Sequence, residues 1–200
     1  MSPLVLAIDT TLETGSLALV RGGEVLEEIA VRAPGGFAQI LYGEIQALLA
    51  RHGIPLDSID CFAAAAGPGS FTGVRIGLAC VKGLAEAMGK PAAGVSNLRA
   101  LASLGTQPLR AAVIDARRGE IYAAVYDDSG QTVSPEVVTS RDRWVEALPS
   151  GPIEWIEQNL AAPRSLAAVI ARIAPSVMQD PAAIDANYVR RSDAELFWKE

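Results

Sequence analysis

The chain has 200 residues, half of them hydrophobic, and carries a net charge of −6. This length suits one domain or two small ones, and the hydrophobic content excludes a disordered chain. The acidic balance argues against a protein that grips nucleic acid by itself, because neutralising phosphates requires a basic surface.

In the first half of the chain, strand and helix patterns alternate. We predict strands at 4–9, 15–20 and 24–31, a helix at 37–51, a strand at 60–66, a helix from about 73 to 88, a strand at 92–95 and a helix at 97–104. Ser96 directly precedes the last of these helices and is its expected N-cap.

The second half repeats the beginning of the first. Residues 111–127, AAVIDARRGEIYAAVYD, align with residues 5–20, VLAIDTTLETGSLALV. A third strand follows each, and the second half continues with a helix capped by Ser140, a short strand near 152–157 and a helix at 165–174. The order of three strands, a helix, a strand and a helix thus occurs twice. It predicts an α/β protein with the two-lobed fold of the actin-like ATPases, which is ribonuclease H-like. We place the lobes at residues 1–104 and 105–200.

Each lobe of an actin-like ATPase contributes one turn that clasps the nucleotide phosphates, usually with the form Asp-x-Gly-Thr/Ser. Here the first clasp turn, Asp9-Thr10-Thr11-Leu12, has no glycine, and the second, residues 115–119, delays its glycine behind two arginines. A Cβ obstructs the approach of phosphate to the backbone. We therefore predict a degenerate clasp that binds ATP or ADP weakly at most, formed by Asp9, Thr10, Thr11, Asp115 and Arg117.

Metal and hydrolase chemistry have little support. His52 is the only histidine, and Cys61 and Cys80 are the only cysteines. A zinc cluster is excluded, and a Ser-His-Asp triad would depend on His52, which is expected to end a helix. We expect no metal and no catalytic residue, and buried thiols in a cytoplasmic protein without a membrane span or signal peptide.

A glycine-rich turn joins the strand at 60–66 to the following helix. It fails the spacing of the phosphate-binding Walker loop and of the nucleophile elbow, and matches the dinucleotide fingerprint only weakly. We predict a tight turn whose Ser70 or Thr72 caps the helix, and small positions at Gly73, Gly77 and Gly83 that admit another backbone, either of this chain or of another subunit. This motif turn comprises Gly67, Pro68, Gly69, Ser70, Phe71, Thr72 and Gly73.

Five segments together resemble the TsaB family, the bacterial tRNA threonylcarbamoyladenosine biosynthesis proteins. They are AIDTT, GPGSFTGVRIGLACVKGLAEAMGKP, GVSNLRALA, IDARRGEIYAAVY and YVRRSDAE. The resemblance implies an actin-like fold without a competent nucleotide site. It implies pairing with the related TsaD, which transfers threonylcarbamoyl to an adenosine of tRNA, and with the small ATPase TsaE. It also implies a homodimer when TsaD is absent, and contact with tRNA only through the complex.

The same resemblance places the partner contacts on the helices at 37–51 and 73–88. The residues carried over are Gln39, Ile40, Leu41, Glu44, Val74, Arg75, Gly77, Leu78, Val81 and Lys82. The segment RAPGGFAQI departs from the family pattern at the start of the first helix, and Trp198 predicts a docked C-terminus. The leading hypothesis is a non-catalytic partner of TsaD. A residual ATPase that uses Asp9 and Asp115 is the alternative, and a peptidase is a weaker one.

Overall fold

A computed structural model describes residues 2–189 of the chain. Its strands and helices are β1 Leu4–Asp9, β2 Thr14–Arg21, β3 Glu24–Arg32, α1 Leu41–Arg51, β4 Cys61–Gly67, α2 Phe71–Met88, β5 Ala92–Ser96, α3 Asn97–Ala102, β6 Leu109–Arg117, β7 Glu120–Asp127, β8 Thr132–Ser140, α4 Arg141–Glu146, β9 Glu154–Gln158 and α5 Ala167–Ile173. Short 3₁₀ turns lie at Phe37–Gln39, Leu56–Ser58, Ala174–Ser176 and Pro181–Ala183.

Two sheets share one strand order. The first runs β3-β2-β1-β4-β5, and the second runs β8-β7-β6-β9. In each, the central strand pairs antiparallel with the next strand of the chain and parallel with the strand that follows the helix. This repetition confirms the predicted α/β fold with two actin-like lobes, the second of which lacks a fifth strand among the described residues.

The strand sequences explain their places in the sheets. β1, LVLAID, is buried along its whole length, as expected of a strand that pairs on both sides and is covered on both faces. β3, EVLEEIAVR, lies at the edge and exposes charged side chains, which discourage pairing with another chain. The helices α1 and α2 cover one face of the first sheet, while α3 and α5 lie on the other face.

The last helix belongs by its contacts to the first sheet. The Ser16 hydroxyl of β2 accepts hydrogen bonds from the backbone N–H groups of Leu166 and Ala167, at 3.3 and 3.1 Å. The Glu28 carboxylate of β3 accepts another from Ala168 at 2.8 Å. Side chains of the first sheet thus satisfy the N–H groups that open α5. The division at residues 104 and 105 stays a prediction.

The starts of α1 and α2 and one predicted cap differ from the predictions, and α3 and α5 are shorter than predicted. A 3₁₀ turn occupies Phe37–Gln39, so the helix predicted from residue 37 begins at Leu41. Gly36, directly before the 3₁₀ turn, has a φ of 88°. The helix predicted from about residue 73 begins at Phe71, because the Ser70 hydroxyl caps it by accepting from Gly73 N at 3.3 Å. Ser140 precedes α4 but makes no side-chain cap bond, so that predicted cap was wrong.

Other predictions concern the cap of α3, the cysteines and the chain end. The Ser96 hydroxyl does cap α3. Cys61 and Cys80 are free and buried, and burial raises the pKa of these thiols to about 12 and about 11. The docked C-terminus expected from Trp198 lies outside the described residues. Over residues 2–189 we find no helix of the length and hydrophobicity that crossing a membrane requires.

Candidate functional site

The first clasp turn is buried. Asp9, Thr10 and Thr11 are only 4%, 2% and 1% exposed. Thr11 donates two hydrogen bonds to Asp9 Oδ1, from its backbone N at 2.9 Å and from its hydroxyl at 2.6 Å. Burial raises the pKa of Asp9, and the bonds from Thr11 and the proximity of Asn97 offset part of that rise. The carboxylate that would face a metal-bound water in a nucleotide clasp therefore serves the fold.

Asn97 connects the first clasp turn to the motif turn. Its Nδ2 donates to the Thr11 hydroxyl at 2.8 Å, and its Oδ1 accepts from Gly67 N at 3.0 Å. Sequence reasoning missed this residue. The available signal was its position directly after β5, because the carboxyl ends of parallel strands meet at one edge of a sheet.

The glycines of the motif turn and of α2 admit the first clasp turn. A Cβ on Gly73 would overlap the Thr10 carbonyl oxygen, and one on Gly77 would lie 2.6 Å from the Thr10 hydroxyl. A Cβ on Gly69 would lie 2.6 Å from the Cβ of Thr11. The Thr10 hydroxyl also donates to the Gly73 carbonyl at 2.7 Å. For these three glycines, the close neighbour is the first clasp turn of this chain, through its backbone at Gly69 and Gly73 and through the Thr10 side chain at Gly77.

The second clasp turn is exposed and closed by its own residues. Asp115 Oδ1 accepts from Arg117 N at 2.7 Å, and the Arg117 guanidinium lies 4.0 Å from the other carboxylate oxygen. Arg117 and Arg118 have φ angles of 65° and 57°, in the left-handed region that non-glycine residues rarely adopt. Arg117 therefore has a left-handed backbone conformation at the position where a phosphate-binding turn would have a glycine.

The two clasp turns line opposite sides of an interlobe cleft of about 230 Å³. Its walls include Thr11 and Ser70 from the first lobe, and Asp115, Arg117 and Tyr122 from the second. A neighbouring space of about 550 Å³ extends past Arg117. Within residues 2–189, no group of three or more His, Cys, Asp or Glu side chains is placed to hold a metal ion.

His52 follows the end of α1, where Glu27 of β3 contacts it. Its Nε2 lies 2.7 Å from a carboxylate oxygen of Glu27 on β3, and Arg51 Nη2 lies 2.8 Å from the other oxygen. Hydrogen bonds from Arg51 and His52 lower the pKa of Glu27. His52 is the C-cap residue of α1, at the helix end where the sequence predicts it.

Half of the predicted partner residues lie in the core of the first lobe. The buried ones are Leu41, Val74, Gly77, Leu78 and Val81. The four hydrophobic side chains fill the space between the helices and the sheet, and Gly77 lies against the Thr10 hydroxyl. This fold therefore leaves none of these five residues on the surface. Gln39 and Arg75 are exposed, whereas Ile40, Glu44 and Lys82 are partly exposed. For those five, a partner contact stays a prediction.

The exposed outer surface of α1 and α2 includes Arg75 and seven residues that the family resemblance did not select, and we call it the helix face. Tyr42 is 58% exposed there, although its hydroxyl reaches the thiol of Cys80. Gly43 and Gly83 are open, since a Cβ on either would meet nothing within 4 Å. At Gly83, where the sequence leaves open a close backbone of this chain or of another subunit, no described residue of this chain lies close. The sequence does not single out Tyr42 and Gly43. The helix face comprises Tyr42, Gly43, Gln46, Ala47, Phe71, Arg75, Ala79 and Gly83, all exposed.

Comparison with known proteins agrees with this architecture. The family model described as "TsaD: tRNA N6-adenosine threonylcarbamoyltransferase" matches residues 27–179. The structure of YeaZ from Pseudomonas aeruginosa superimposes with a TM-score of 0.76 at 28% sequence identity, covering 93% of this chain and 99% of that one. The fold defines a two-lobed actin-like protein.

Sequence relatives narrow the assignment. The Escherichia coli tRNA threonylcarbamoyladenosine biosynthesis protein TsaB is 37% identical over 151 residues, 68% of this chain and 65% of that protein. An uncharacterised Mycobacterium tuberculosis protein is 31% identical over 96% of this chain and 93% of its own length. The match thus spans slightly less than two thirds of the E. coli relative. The chain belongs to the TsaD family and, within it, groups with the TsaB proteins.

Proposed function

We propose that the chain is a non-catalytic assembly partner in the biosynthesis of threonylcarbamoyladenosine in tRNA, which organises and activates a TsaD-type transferase. The observation that carries this proposal is that the first clasp turn is packed against other residues of the same chain. Thr10 and Thr11 fill the space against Gly73, Gly77 and Gly69, and Asp9 is buried with its hydrogen bonds made inside the chain.

A catalytic role finds little support in this arrangement. A carboxylate that must bind a metal-bound water needs to be ionised and accessible, whereas Asp9 is buried and its pKa is raised. The second clasp turn is accessible, but the Asp115 carboxylate already accepts a hydrogen bond from the backbone N–H of Arg117. We propose that the chain works without a cofactor of its own.

The helix face supports a role in assembly. Exposed small residues allow another helix to approach closely, and Gly43 and Gly83 leave such room on α1 and α2. Tyr42 adds a large exposed aromatic side chain of the kind that dominates binding at protein interfaces. We propose that the TsaD-type chain docks here and that a second copy of this chain occupies the face in its absence. A TsaE-type ATPase would join the pair, and tRNA would be bound through the complex.

The experiment is size-exclusion chromatography of the chain mixed with a TsaD-type transferase, followed by assay of threonylcarbamoyladenosine formation. We expect co-elution at micromolar concentration and transfer activity that depends on the chain. Gly83→Arg places a long side chain on the helix face and is expected to weaken binding by roughly tenfold or more.

The matched control is Val145→Arg, which adds the same side chain at a position 48% exposed on α4 of the second lobe. We expect this variant to bind as the unaltered chain does and both variants to keep the melting temperature. Failure of the unaltered chain to co-elute with the transferase would contradict the proposal, and so would equal loss of binding in both variants.

A further inference from the structure

The C-terminal part of the described chain lies on the motif turn. Ile184 is fully buried, and Asn187 N donates to the Ala66 carbonyl at 2.8 Å, at the end of β4. The Asn187 carbonyl oxygen approaches Gly67 so closely that a Cβ there would lie 3.2 Å from it. These contacts bring the next residue, Tyr188, to the beginning of α2.

At that place Phe71, Arg75 and Tyr188 form an aromatic–arginine cluster. The Arg75 guanidinium lies 3.7 Å from the Phe71 ring centroid, and Arg75 Nε donates to the Tyr188 hydroxyl at 3.0 Å. The two rings are 5.6 Å apart and remain 45% and 46% exposed. The arginine is thus ordered by two contacts while it remains exposed at the surface.

The cluster continues the helix face. Phe71, Arg75, Ala79 and Gly83 follow one another at intervals of four residues along α2, and all are exposed. Residues at this spacing share one side of a helix. A partner that lies along Ala79 and Gly83 therefore meets Arg75 at the next turn.

We infer that the cluster anchors an acidic side chain of the protein partner that docks on the helix face. The inference rests on the proposed function and adds the chemistry of one contact. No carboxylate of residues 2–189 forms an ion pair with Arg75, and the first turn of α2 contains no acidic residue. A guanidinium already ordered by two aromatic rings binds a carboxylate with less loss of side-chain freedom.

Charge favours a protein carboxylate over an RNA phosphate as the bound group. The chain carries a net charge of −6 and would repel a polyanion, whereas a single carboxylate needs only the local positive charge of Arg75. Arginine and tyrosine are also enriched among the few residues that contribute most of the binding energy at protein interfaces.

Glu136 is the positioning residue of the cluster. Its Oε2 accepts from Asn187 Nδ2 at 2.6 Å, while its Oε1 accepts from the Tyr126 hydroxyl at 2.6 Å and from the Ser96 hydroxyl. One carboxylate of β8 in the second lobe thereby fixes the residue before Tyr188. The second lobe sets the orientation of the cluster without touching the partner.

The test measures the affinity for a TsaD-type transferase by calorimetry at low and high salt. We expect Arg75→Gln to weaken binding by roughly tenfold and to reduce its salt dependence. The matched control is Arg143→Gln, an exposed arginine on α4 of the second lobe, which is expected to change affinity by less than about twofold.

A double-mutant cycle tests the positioning role. We expect Glu136→Gln to weaken binding by roughly fivefold in the unaltered chain and to add almost nothing when Tyr188 is already Ala, because the two residues act through one cluster. A purely structural role of Glu136 would weaken binding equally in both backgrounds, which would overturn its assignment.

The outcomes separate this inference from the proposed function. If Gly83→Arg abolishes binding while Arg75→Gln and Tyr188→Ala do not, the cluster is not the anchor and the proposed function stands. If the unaltered chain does not bind the transferase, both fail. Loss of self-association or of tRNA binding in Arg75→Gln, with unchanged affinity for the transferase, would assign the cluster to a different occupant and overturn the inference.

Discussion

The two clasp turns have the same local bond and opposite surroundings. In each, the aspartate at or near the end of the strand accepts a hydrogen bond from the backbone N–H two residues later, at 2.9 Å for Asp9 and 2.7 Å for Asp115. The first turn is almost fully buried under α2, whereas the side chain of Asp115 is 46% exposed in the second. A duplicated turn thus became part of the core in one lobe and remained a surface loop in the other.

The two turns differ in what packs against them. In the first lobe, Thr10 and Thr11 lie directly against Gly69, Gly73 and Gly77. In the second lobe, the Asp115 carboxylate accepts a hydrogen bond from Arg117 N and its side chain stays 46% exposed. The first turn therefore contributes to stability and the second contributes little, a contrast that mutations can measure.

The largest effect is expected at Gly73. A Cβ there overlaps the Thr10 carbonyl oxygen, so Gly73→Ala should force the first clasp turn away from α2 and lower the free energy of unfolding by about 3 kcal/mol. Urea denaturation measures this. The matched control is Gly83→Ala in the same helix, where the Cβ is unobstructed and a gain of about 0.5–1 kcal/mol is expected. Equal effects at both positions would refute the close contact.

A pair of aspartate substitutions compares the turns directly. Asp9→Ala removes the acceptor of two buried hydrogen bonds from Thr11, and we expect a loss of about 2 kcal/mol. Asp115→Ala removes one acceptor in a solvated turn, where water replaces it, so the expected loss is below about 1 kcal/mol. Both values come from chemical denaturation at neutral pH. A larger loss for Asp115→Ala would reverse the assignment of the two turns.

The smallest effect concerns pH. Because burial raises the pKa of Asp9 above its ordinary value of 3.8, the folded protein holds this proton more tightly than the unfolded chain. The free energy of unfolding therefore decreases as the pH rises from near 3.8, the ordinary pKa, through the raised pKa of Asp9 in the folded protein. In Asp9→Asn this loss is absent, so its stability should fall less steeply with rising pH than that of the unaltered chain. Parallel curves for the two proteins would show that burial does not perturb Asp9.

Much of the fold could be predicted from local patterns. Alternating hydrophobicity located the strands, and the repeated Ile-Asp segments predicted the two-lobed fold. The start of α1 could not be located in this way, because hydrophobic periodicity continues through Phe37–Gln39, where the backbone forms a 3₁₀ turn.

The contacts that define the site depend on residues far apart in the chain. Thr10 meets Gly73 across 63 positions, Asn97 meets Thr11 across 86, and Arg75 meets Tyr188 across 113. A single sequence predicts that Gly73 and Gly77 admit a close neighbour, but not which one. For the same reason, family resemblance selected Val74 and Leu78, which the fold buries, and missed Tyr42.

Calorimetric titration of the isolated chain with ATP and Mg²⁺ tests the central claim that the first clasp turn is a structural element. We expect no saturable heat of nucleotide binding at millimolar ATP, because Thr10 and Thr11 pack directly against the motif turn and α2. A saturable heat of binding that disappears in Asp9→Asn and persists in Val145→Arg would contradict it.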